Sequence, residues 1–416
     1  MTAPDALPAF DLAFTRSQFP AFSEDSLSGW AFFENAGGSY MCRQVVERLH
    51  GFHKRTKVQP YAPYPASRTA GRLMDEGHER IAEWCCAAPE AALFGPSTTQ
   101  NVATLAAALR ETLKPGDAIV VTNQDHEANS GAWRRLEKAG AEIREWKMQG
   151  DGRLDPADLA ALLDDKVRLA AFPHCSNILG QINDVKAICA MIRDAGALSC
   201  VDGVSAAPHG LPDFEDLGAD IYLFSAYKTF GPHQGVMLIR EEVNRSLPNQ
   251  SHWFNDGALR KRLVPAGPDH AQVAGMEGVA TYLEALESRH FPVGAPFDRR
   301  AARLRRLIAA REAELLAPLL DWAKDREGLR LLGPATTENR APTVAMVLDV
   351  PGEEAAAKLA RWKVMAGGGD FYAVRLLSAM GVDPAHGVLR LSFTHYTSEA
   401  EVAQAVDGLS AILGAD

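Results

Sequence analysis

The sequence predicts an α/β protein with a larger domain built around a mainly parallel, seven-stranded sheet and a smaller α/β domain at its C-terminal end. Short apolar runs alternate with amphipathic helical patterns from about residue 30 to 240, which is typical of a parallel sheet with crossover helices. After about residue 285 a long helical pattern rich in Arg, Ala, Leu and Glu begins. The 416 residues, 47% of them hydrophobic, are enough for two cores.

The change of pattern gives the expected domain boundaries. We expect residues 25–285 to form the large domain, and residues 1–24 and 286–416 to form the small one. Seven apolar runs are predicted as the strands of the large domain, because turn residues lie on both sides of each run. They are residues 31–34, 118–122, 142–146, 168–173, 198–202, 221–225 and 236–240. Helical spacing of apolar residues between the strands predicts helices over residues 45–54, 74–86, 99–113, 132–139, 156–163 and 185–195.

The C-terminal part mixes helices and strands. The pattern predicts a long helix over residues 297–324, a strand over 343–348, a helix over 353–362, a glycine-rich loop at 367–369, a strand over 388–393 and a closing helix over 399–413. Among the earlier helices, Asp155 followed by Pro156 is a clear start, because Asp caps a helix and Pro suits its first position.

Composition excludes several functional classes. The net charge of −10 argues against a nucleic-acid binder. No apolar run approaches the roughly 20 residues that span a bilayer, so we expect no membrane partner. The first residues show no secretory pattern, and the six cysteines match no zinc spacing, so we expect no metal. A cytoplasmic, reducing location is the expectation.

The candidate chemistry lies where two consecutive strands end. Ligands of open parallel sheets bind at the carboxyl ends of strands. Asp202 ends one predicted strand, and Lys228 follows the next. Apolar surroundings lower the pKa of a lysine, and a neutral amine is the form that bonds an aldehyde. An acidic residue with such a lysine is the pair a pyridoxal-phosphate site needs; a surface lysine and an N-cap aspartate are the simpler alternative.

Two motifs at these positions resemble a known family. Residues 202–209 (DGVSAAPH) and 224–232 (FSAYKTFGP) resemble the signature of class-V, fold-type I pyridoxal-phosphate enzymes, which include cysteine desulfurases, selenocysteine lyases and isopenicillin N epimerase. The resemblance extends from about Phe33 to Tyr396. It implies a fold-type I transferase fold, pyridoxal 5'-phosphate as cofactor, Lys228 as its attachment point and catalytic base, Asp202 as partner of the ring nitrogen, and a homodimer.

The resemblance implies further roles in the cofactor site. His126 would stack on the cofactor ring and take part in catalysis, and Asn177 would reach the ring oxygen or the substrate. Ser205 stands where desulfurases use glutamine. The remaining implied cofactor ligands bind the phosphate, partly through a helix N-terminus, and are Ser97, Thr98, Thr99, Ser225 and Tyr227.

A small amino-acid substrate is implied as well. Arg390 matches the arginine that binds the substrate α-carboxylate, for which a planar, always-charged fork is suited. Asn35, in the glycine-rich loop of residues 34–38, and Asn177 would also line the substrate side.

The sequence departs from the desulfurases at two loops. Desulfurases carry a persulfide-forming cysteine on a loop of the smaller domain, whereas residues 364–372 (VMAGGGDFY) contain none, and the last cysteine is Cys200. The loop that donates a phosphate-binding threonine to the partner subunit reads AGPDH over residues 266–270, where His270 is the candidate replacement.

These departures decide the expected reaction. We expect β-elimination from a small amino acid, of the C–S lyase type, without a persulfide cysteine. A class-V aminotransferase is the first alternative, in which Lys228 moves the proton away from Cα, and an amino-acid epimerase is the second. A non-catalytic cofactor-binding protein is disfavoured because both Lys228 and Asp202 are retained.

Overall fold

The computed structural model describes residues 7–292 and 294–414. Its helices are α1 (Leu12–Ser17), α2 (Arg43–Arg55), α3 (Pro65–Trp84), α4 (Thr98–Arg110), α5 (Gly131–Arg134), α6 (Pro156–Leu162), α7 (Val185–Asp194), α8 (Phe214–Leu217), α9 (Glu241–Ser246), α10 (Leu259–Arg262), α11 (His270–His290), α12 (Phe297–Ala323), α13 (Gly352–Ala360), α14 (Val374–Ala379) and α15 (Glu399–Leu413). Its strands are β1 (Ala31–Phe32), β2 (Ala92–Gly95), β3 (Ala118–Thr122), β4 (Glu142–Trp146), β5 (Val167–Pro173), β6 (Leu198–Asp202), β7 (Ile221–Ser225), β8 (Gly235–Ile239), β9 (Leu329–Leu332), β10 (Thr343–Leu348), β11 (Val364–Met365), β12 (Gly367–Gly369) and β13 (Val388–Ser392).

The large sheet has seven strands in the order β2-β8-β7-β6-β5-β3-β4. The pairs from β7 to β4 are parallel, and β8 is antiparallel to both β7 and β2. Along β3, Ala118 and Val120 enter one hydrophobic cluster while Ile119 and Val121 enter the other. Successive side chains point to opposite faces, so this alternation shows that helices cover both faces of the sheet. The predicted α/β class with a mainly parallel seven-stranded sheet is confirmed.

Two departures from the prediction concern the large sheet. The run at residues 31–34 does not join the large sheet; β1 instead pairs in parallel with β11, more than 300 residues away. The seventh strand is β2, which the sequence reading missed because it has four residues between Pro89 and Pro96. It is an edge strand, and short edge strands carry weak periodicity.

A second, antiparallel sheet has the order β12-β13-β10-β9. Residues 367–369, predicted as a loop, form β12, which pairs with β13 next to Arg390. Glycine is required here because β12 lies directly against helix α13: a Cβ on Gly368 would be 2.1 Å from the Gly352 carbonyl oxygen. Glycine is depleted in ordinary strands, which explains why the run read as a loop.

The predicted helices are present, although α3 begins at Pro65 rather than at residue 74. The short helices α1, α8, α9, α10 and α14 were not predicted, and neither was the long helix α11. Its buried residues lie on most sides of the helix, and it packs against α2 and α3, so it shows no amphipathic stripe. Helix α15 has the predicted bounds and begins with a capping box between Ser398 and Glu401. The division into two domains near residue 285 stays a prediction. Within the described ranges, no helix combines the length and the apolar character needed to cross a membrane.

Candidate active site

A cavity opens where β3, β5, β6 and β7 end, beside the N-terminus of α4. These strands are neighbours in the sheet, so residues that follow them meet at one edge. All the residues predicted to hold the cofactor line this cavity, namely Ser97, Thr98, Thr99, His126, Asn177, Asp202, Ser205, Ser225, Tyr227 and Lys228. Their assigned roles stay predictions, but the structure brings the whole set together.

Lys228 lies in the turn after β7 and is only 9% exposed. Burial lowers the pKa of its amine to about 8, with a further lowering by the charge of Arg390, while the charges of Asp202 and Glu34 raise it. About a tenth of the amine is therefore neutral at pH 7, far more than for an ordinary lysine. This is the form that attacks a carbonyl carbon.

Asp202 ends β6 with its carboxylate buried in the same cavity. Burial raises the pKa of Asp202, and the hydrogen bond from the Val204 N–H to Oδ1, at 2.9 Å, opposes that shift together with the charge of Lys228. The carboxylate is thus a buried acceptor with a cost of desolvation that a cationic partner would offset.

The N-terminus of α4 forms the opposite side of the cavity. Ser97 caps the helix by accepting the N–H of Gln100, and the Thr98 hydroxyl lies 2.8 Å from the Ser225 hydroxyl at the end of β7. First-turn N–H groups of a helix have no partner within the helix and attract an anion. Gly235 on β8 makes this approach possible, because a Cβ there would be 2.3 Å from the Ser97 carbonyl carbon.

His126 follows β3 and presents a neutral imidazole. Its Nδ1 accepts the Ala128 N–H at 3.0 Å, so the ring proton is on Nε2. Burial, followed by the charges of Lys228 and Arg390, lowers its pKa to about 4. The ring also contacts Tyr372, with 5.3 Å between centroids. A neutral ring held by one nitrogen is suited to stacking on another ring.

Six residues of the cavity lining were not predicted, and two of them, His233 and Gln124, bring an imidazole and a carboxamide to the site. His233 stacks on Tyr227 at 4.7 Å between centroids. Gln124 is buried, with its amide donating to the Gly152 carbonyl at 2.6 Å and its oxygen accepting from Asn183. Both lie within a few residues of motif positions, His126 for Gln124 and Lys228 for His233. Their nearness to strand ends was the available signal.

Arg390 on β13 is 3% exposed and lies beside the cavity. Its Nη2 donates to Glu34 Oε1 at 3.0 Å, and its Nη1 donates to the Asn177 carbonyl at 3.2 Å. The ring of Phe371 covers the guanidinium at 3.7 Å. Asn177 in turn donates through Nδ2 to the Phe371 carbonyl at 3.1 Å. The segment Phe371–Tyr372, in the loop predicted to correspond to the cysteine-bearing loop of desulfurases, therefore lies over this end of the site.

Besides Arg390, two further predicted residues lie outside the cavity lining. Asn35 is buried, and its Oδ1 accepts the Tyr396 hydroxyl at 2.7 Å, which ties the 34–38 loop to the segment after β13. Its part in substrate binding stays a prediction. His270 begins α11 and lines a separate cleft with Tyr61, Phe254 and Gly267.

All six cysteines are free thiols within the described part of the chain. Cys175 lines the cavity, is 3% exposed and donates to the Gly180 carbonyl at 3.4 Å. Burial raises its pKa to about 12. The other five lie away from the cavity lining. A thiolate is the nucleophilic form, so the cavity presents no activated sulfur at neutral pH.

Comparison of the sequence with known proteins identifies similar chains of matching length. The family model described as aminotransferase class-V matches residues 31–263. The aminotransferase-like protein FGM3 of Gibberella zeae is 32% identical over 418 residues, covering 97% of this chain and 99% of its own. A cysteine desulfurase of Pectobacterium carotovorum is 28% identical, covering 95% and 97%.

Solved structures with the same fold include two cysteine desulfurases. The enzyme from Thermococcus onnurineus, in its apo form, superimposes with a TM-score of 0.84 at 23% identity, over 99% of each chain. CsdA from Escherichia coli gives a TM-score of 0.79 at 22% identity, over 97% of this chain and 98% of its own. At this identity the likeness shows the fold.

Proposed function

The chain belongs to the class-V aminotransferase family of pyridoxal-phosphate enzymes, and from this membership we propose that it catalyses β-elimination from a small amino acid, of the C–S lyase type. The proposal does not require a persulfide on the protein. The observation that carries it is that the cavity holds a buried amine and a buried carboxylate, while its cysteine is an inert, buried thiol.

The cavity fits the cofactor of the family. Asp202 supplies a buried carboxylate for a protonated ring nitrogen, and Lys228 supplies an amine for the aldehyde. The N-terminus of α4 and the Ser225 hydroxyl offer donors for a phosphate. Asn177 Oδ1 is a buried polar atom without a hydrogen-bond partner, so the side chain has acceptor capacity left at this point.

The residues then divide the chemistry. When bound, pyridoxal phosphate withdraws electrons from the substrate Cα. Lys228 takes the proton from Cα, and Arg390 holds the α-carboxylate so that this proton faces the amine. The β-substituent would leave with its bonding electron pair, and water would convert the rest of the substrate to a keto acid and ammonia. The same Lys228 returns a proton to the leaving sulfur.

The loop over the site supports elimination rather than sulfur transfer to the protein. Phe371 and Tyr372 contact Arg390 and His126, so side chains without a nucleophile stand beside the reacting groups. Cys175 is buried, with the pKa of its thiol raised to about 12, and accepting a sulfur atom would require it to ionise. The sulfur would therefore leave the site as a free thiol and would not be transferred to the protein.

A product analysis tests the proposal. The purified enzyme is incubated with a panel of amino acids, including cysteine and its S-substituted derivatives, and keto acid, ammonia, thiol or sulfide, and pyridoxamine phosphate are followed together. We expect keto acid, ammonia and thiol in equal amounts, with no protein-bound persulfide. Stoichiometric persulfide on any of the six cysteines, with activity lost on its mutation, would refute the proposal.

The same assay separates the alternatives. An aminotransferase, which the relative from Gibberella zeae is named after, would form pyridoxamine phosphate and keto acid without free ammonia. An epimerase would change only the configuration at Cα. Two further features are proposed with the activity: a cytoplasmic location, supported by the six free thiols, and a homodimer.

A further inference from the structure

The carboxylate of Glu34 is hydrogen-bonded to Arg390, the arginine on which the proposed function depends. Arg390 Nη2 bonds Glu34 Oε1, Nη1 bonds the Asn177 carbonyl, and the Phe371 ring covers one face. The third nitrogen, Nε, is buried and has no hydrogen-bond partner. Without substrate, the guanidinium already holds a carboxylate that belongs to the protein.

Two glycines leave a slot in the backbone, which we call the seat, that accommodates the Glu34 carboxylate. A Cβ on Gly367 would be 2.3 Å from Glu34 Oε2, and one on Gly37 would be 2.6 Å from Oε1. Glycine on both sides therefore makes the slot that Glu34 fills. Oε2 is buried without a partner, so the seat leaves one oxygen unsatisfied. The side chain as a whole is 29% exposed, which gives it a path back to water.

Charge decides what happens when a substrate arrives. The pair of Arg390 and Glu34 is neutral, and its arginine is 3% exposed. A substrate carboxylate bound to Arg390 beside Glu34 would place two negative charges next to one buried cation. Two carboxylates that share one poorly solvated partner repel each other strongly. Glu34 can return to solvent, and its departure restores the charge balance.

We propose that Glu34 is an internal competitor of the substrate carboxylate at Arg390, and that this competition determines specificity. The inference rests on the proposed function, in which Arg390 binds the α-carboxylate. A ligand with a carboxylate alone gains little by exchanging one carboxylate for another. An amino acid gains the additional bond of its amino group at the cofactor, so the site favours amino acids over simple carboxylic acids.

Binding of propionate to the cofactor-loaded enzyme tests this, because propionate has a carboxylate and no amino group to react. Titration calorimetry compares the wild type with Glu34→Gln, which keeps the shape and removes the charge. We expect propionate to bind Glu34→Gln roughly ten-fold more tightly or better, since the competing side chain no longer carries a negative charge and the ion pair with Arg390 is lost. Glu34→Asp withdraws the carboxylate by one methylene and should also tighten propionate binding. If Glu34→Gln folds poorly, Glu34→Asp tests whether Glu34 competes with propionate at Arg390.

The matched control is Glu127→Gln. Glu127 is also acidic, pairs with Arg375 at 3.4 Å, and follows His126 at the rim of the site without contacting Arg390. Its propionate affinity should equal that of the wild type. Unchanged or weaker binding by both Glu34 variants would overturn the inference and make Glu34 a residue that positions Arg390.

A double variant separates this inference from the function beneath it. Adding Arg390→Ala to Glu34→Gln should abolish the gain in propionate affinity. If the double variant binds propionate as tightly as Glu34→Gln, Arg390 is not the carboxylate site and both proposals fail at that residue. If the double variant loses binding but Glu34→Gln shows no gain over the wild type, the competition alone is refuted.

Discussion

At the scale of the residue, the proposed chemistry depends on one amine, that of Lys228, whose protonation is set by its neighbours. Lys228 has a pKa lowered to about 8 by burial and then by the Arg390 charge, with Asp202 and Glu34 acting in the opposite direction. Only the neutral amine can bond the aldehyde of the cofactor. At pH 7 about a tenth of the amine is neutral, and above pH 8 most of it is.

We therefore predict that attachment of pyridoxal phosphate to the apoenzyme accelerates with pH and levels off above about pH 8. Samples taken at each pH are reduced with borohydride, and the adduct is quantified by mass mapping of the Lys228 peptide. Removing the positive charge in Arg390→Ala raises the pKa of Lys228 and should move the profile to higher pH; Glu34→Gln should move it to lower pH. An adduct on another lysine, or a midpoint at the ordinary lysine value, would contradict this.

Arg390 carries a second prediction. Arg390→Ala should lower kcat/KM by roughly 30- to 150-fold, because a charge-assisted contact with the substrate carboxylate contributes on the order of 2–3 kcal/mol. The absorption of the bound cofactor should be unchanged. Arg375→Ala is the control: this arginine pairs with Glu127 at the rim and is 42% exposed, so its loss should change kcat/KM by about two-fold at most. Equal losses in the two variants would exclude a specific role for Arg390.

At the scale of the element, glycines set how closely strands and helices approach at the site. Gly235 on β8 lies against the first residues of α4, and Gly368 on β12 lies against the start of α13. The first approach positions the helix N-terminus that faces the cavity. The approach of Gly368 to α13 keeps β12 beside β13. It thereby keeps the slot that holds Glu34 next to Arg390.

We predict that Gly235→Ala weakens cofactor binding. Its Cβ would be 2.4 Å from the Thr98 nitrogen, so α4 must move away from the cavity. Overpacking of this kind costs about 1–3 kcal/mol, which corresponds to a roughly 5- to 150-fold weaker Kd for pyridoxal phosphate. Fluorescence titration of the apoenzyme measures the Kd. Gly150→Ala, a glycine with open space around it, should bind as the wild type does, and an unchanged Kd in Gly235→Ala would show that α4 does not position the phosphate.

At the scale of the molecule, exposed aromatic side chains indicate where a second copy would pack. Trp253 is 86% exposed, Phe254 66% and Tyr61 58%. Phe254 and Tyr61 line one cleft together with His270, in the segment predicted to reach the partner's phosphate site. Large exposed apolar groups of this kind are typical of protein interfaces.

We predict a homodimer that the double substitution Trp253→Glu with Phe254→Glu dissociates, because two charges would enter an apolar contact. Sedimentation velocity gives the mass, and activity should fall with dissociation. Trp362→Gln is the control, since this tryptophan is 46% exposed but lies after α13, far along the chain from the cleft. A fully active monomer would disprove both the dimer and a shared site.

Much of the fold and of the cofactor site was predictable because the signals are local. Strand ends, helix starts and the residues after them follow from short-range periodicity and capping. Lys228 and Asp202 stand at consecutive strand ends, and parallel topology alone brings such ends together. The family motifs added His126 and the phosphate turn, which the structure places in the same cavity.

The sequence, through its motifs and their resemblance to a family, therefore determined the fold class, the cofactor and ten of the residues that line the cavity. Only the tertiary structure decided that residues 31–32 pair with 364–365, that the helix over 270–290 is buried, and that Glu34 lies on Arg390, 356 residues away. Contacts between segments so far apart depend on how the whole chain packs, because desolvation and charge pairing are properties of the assembled site. The burial that lowers the pKa of Lys228 and raises that of Cys175 comes from the same packing.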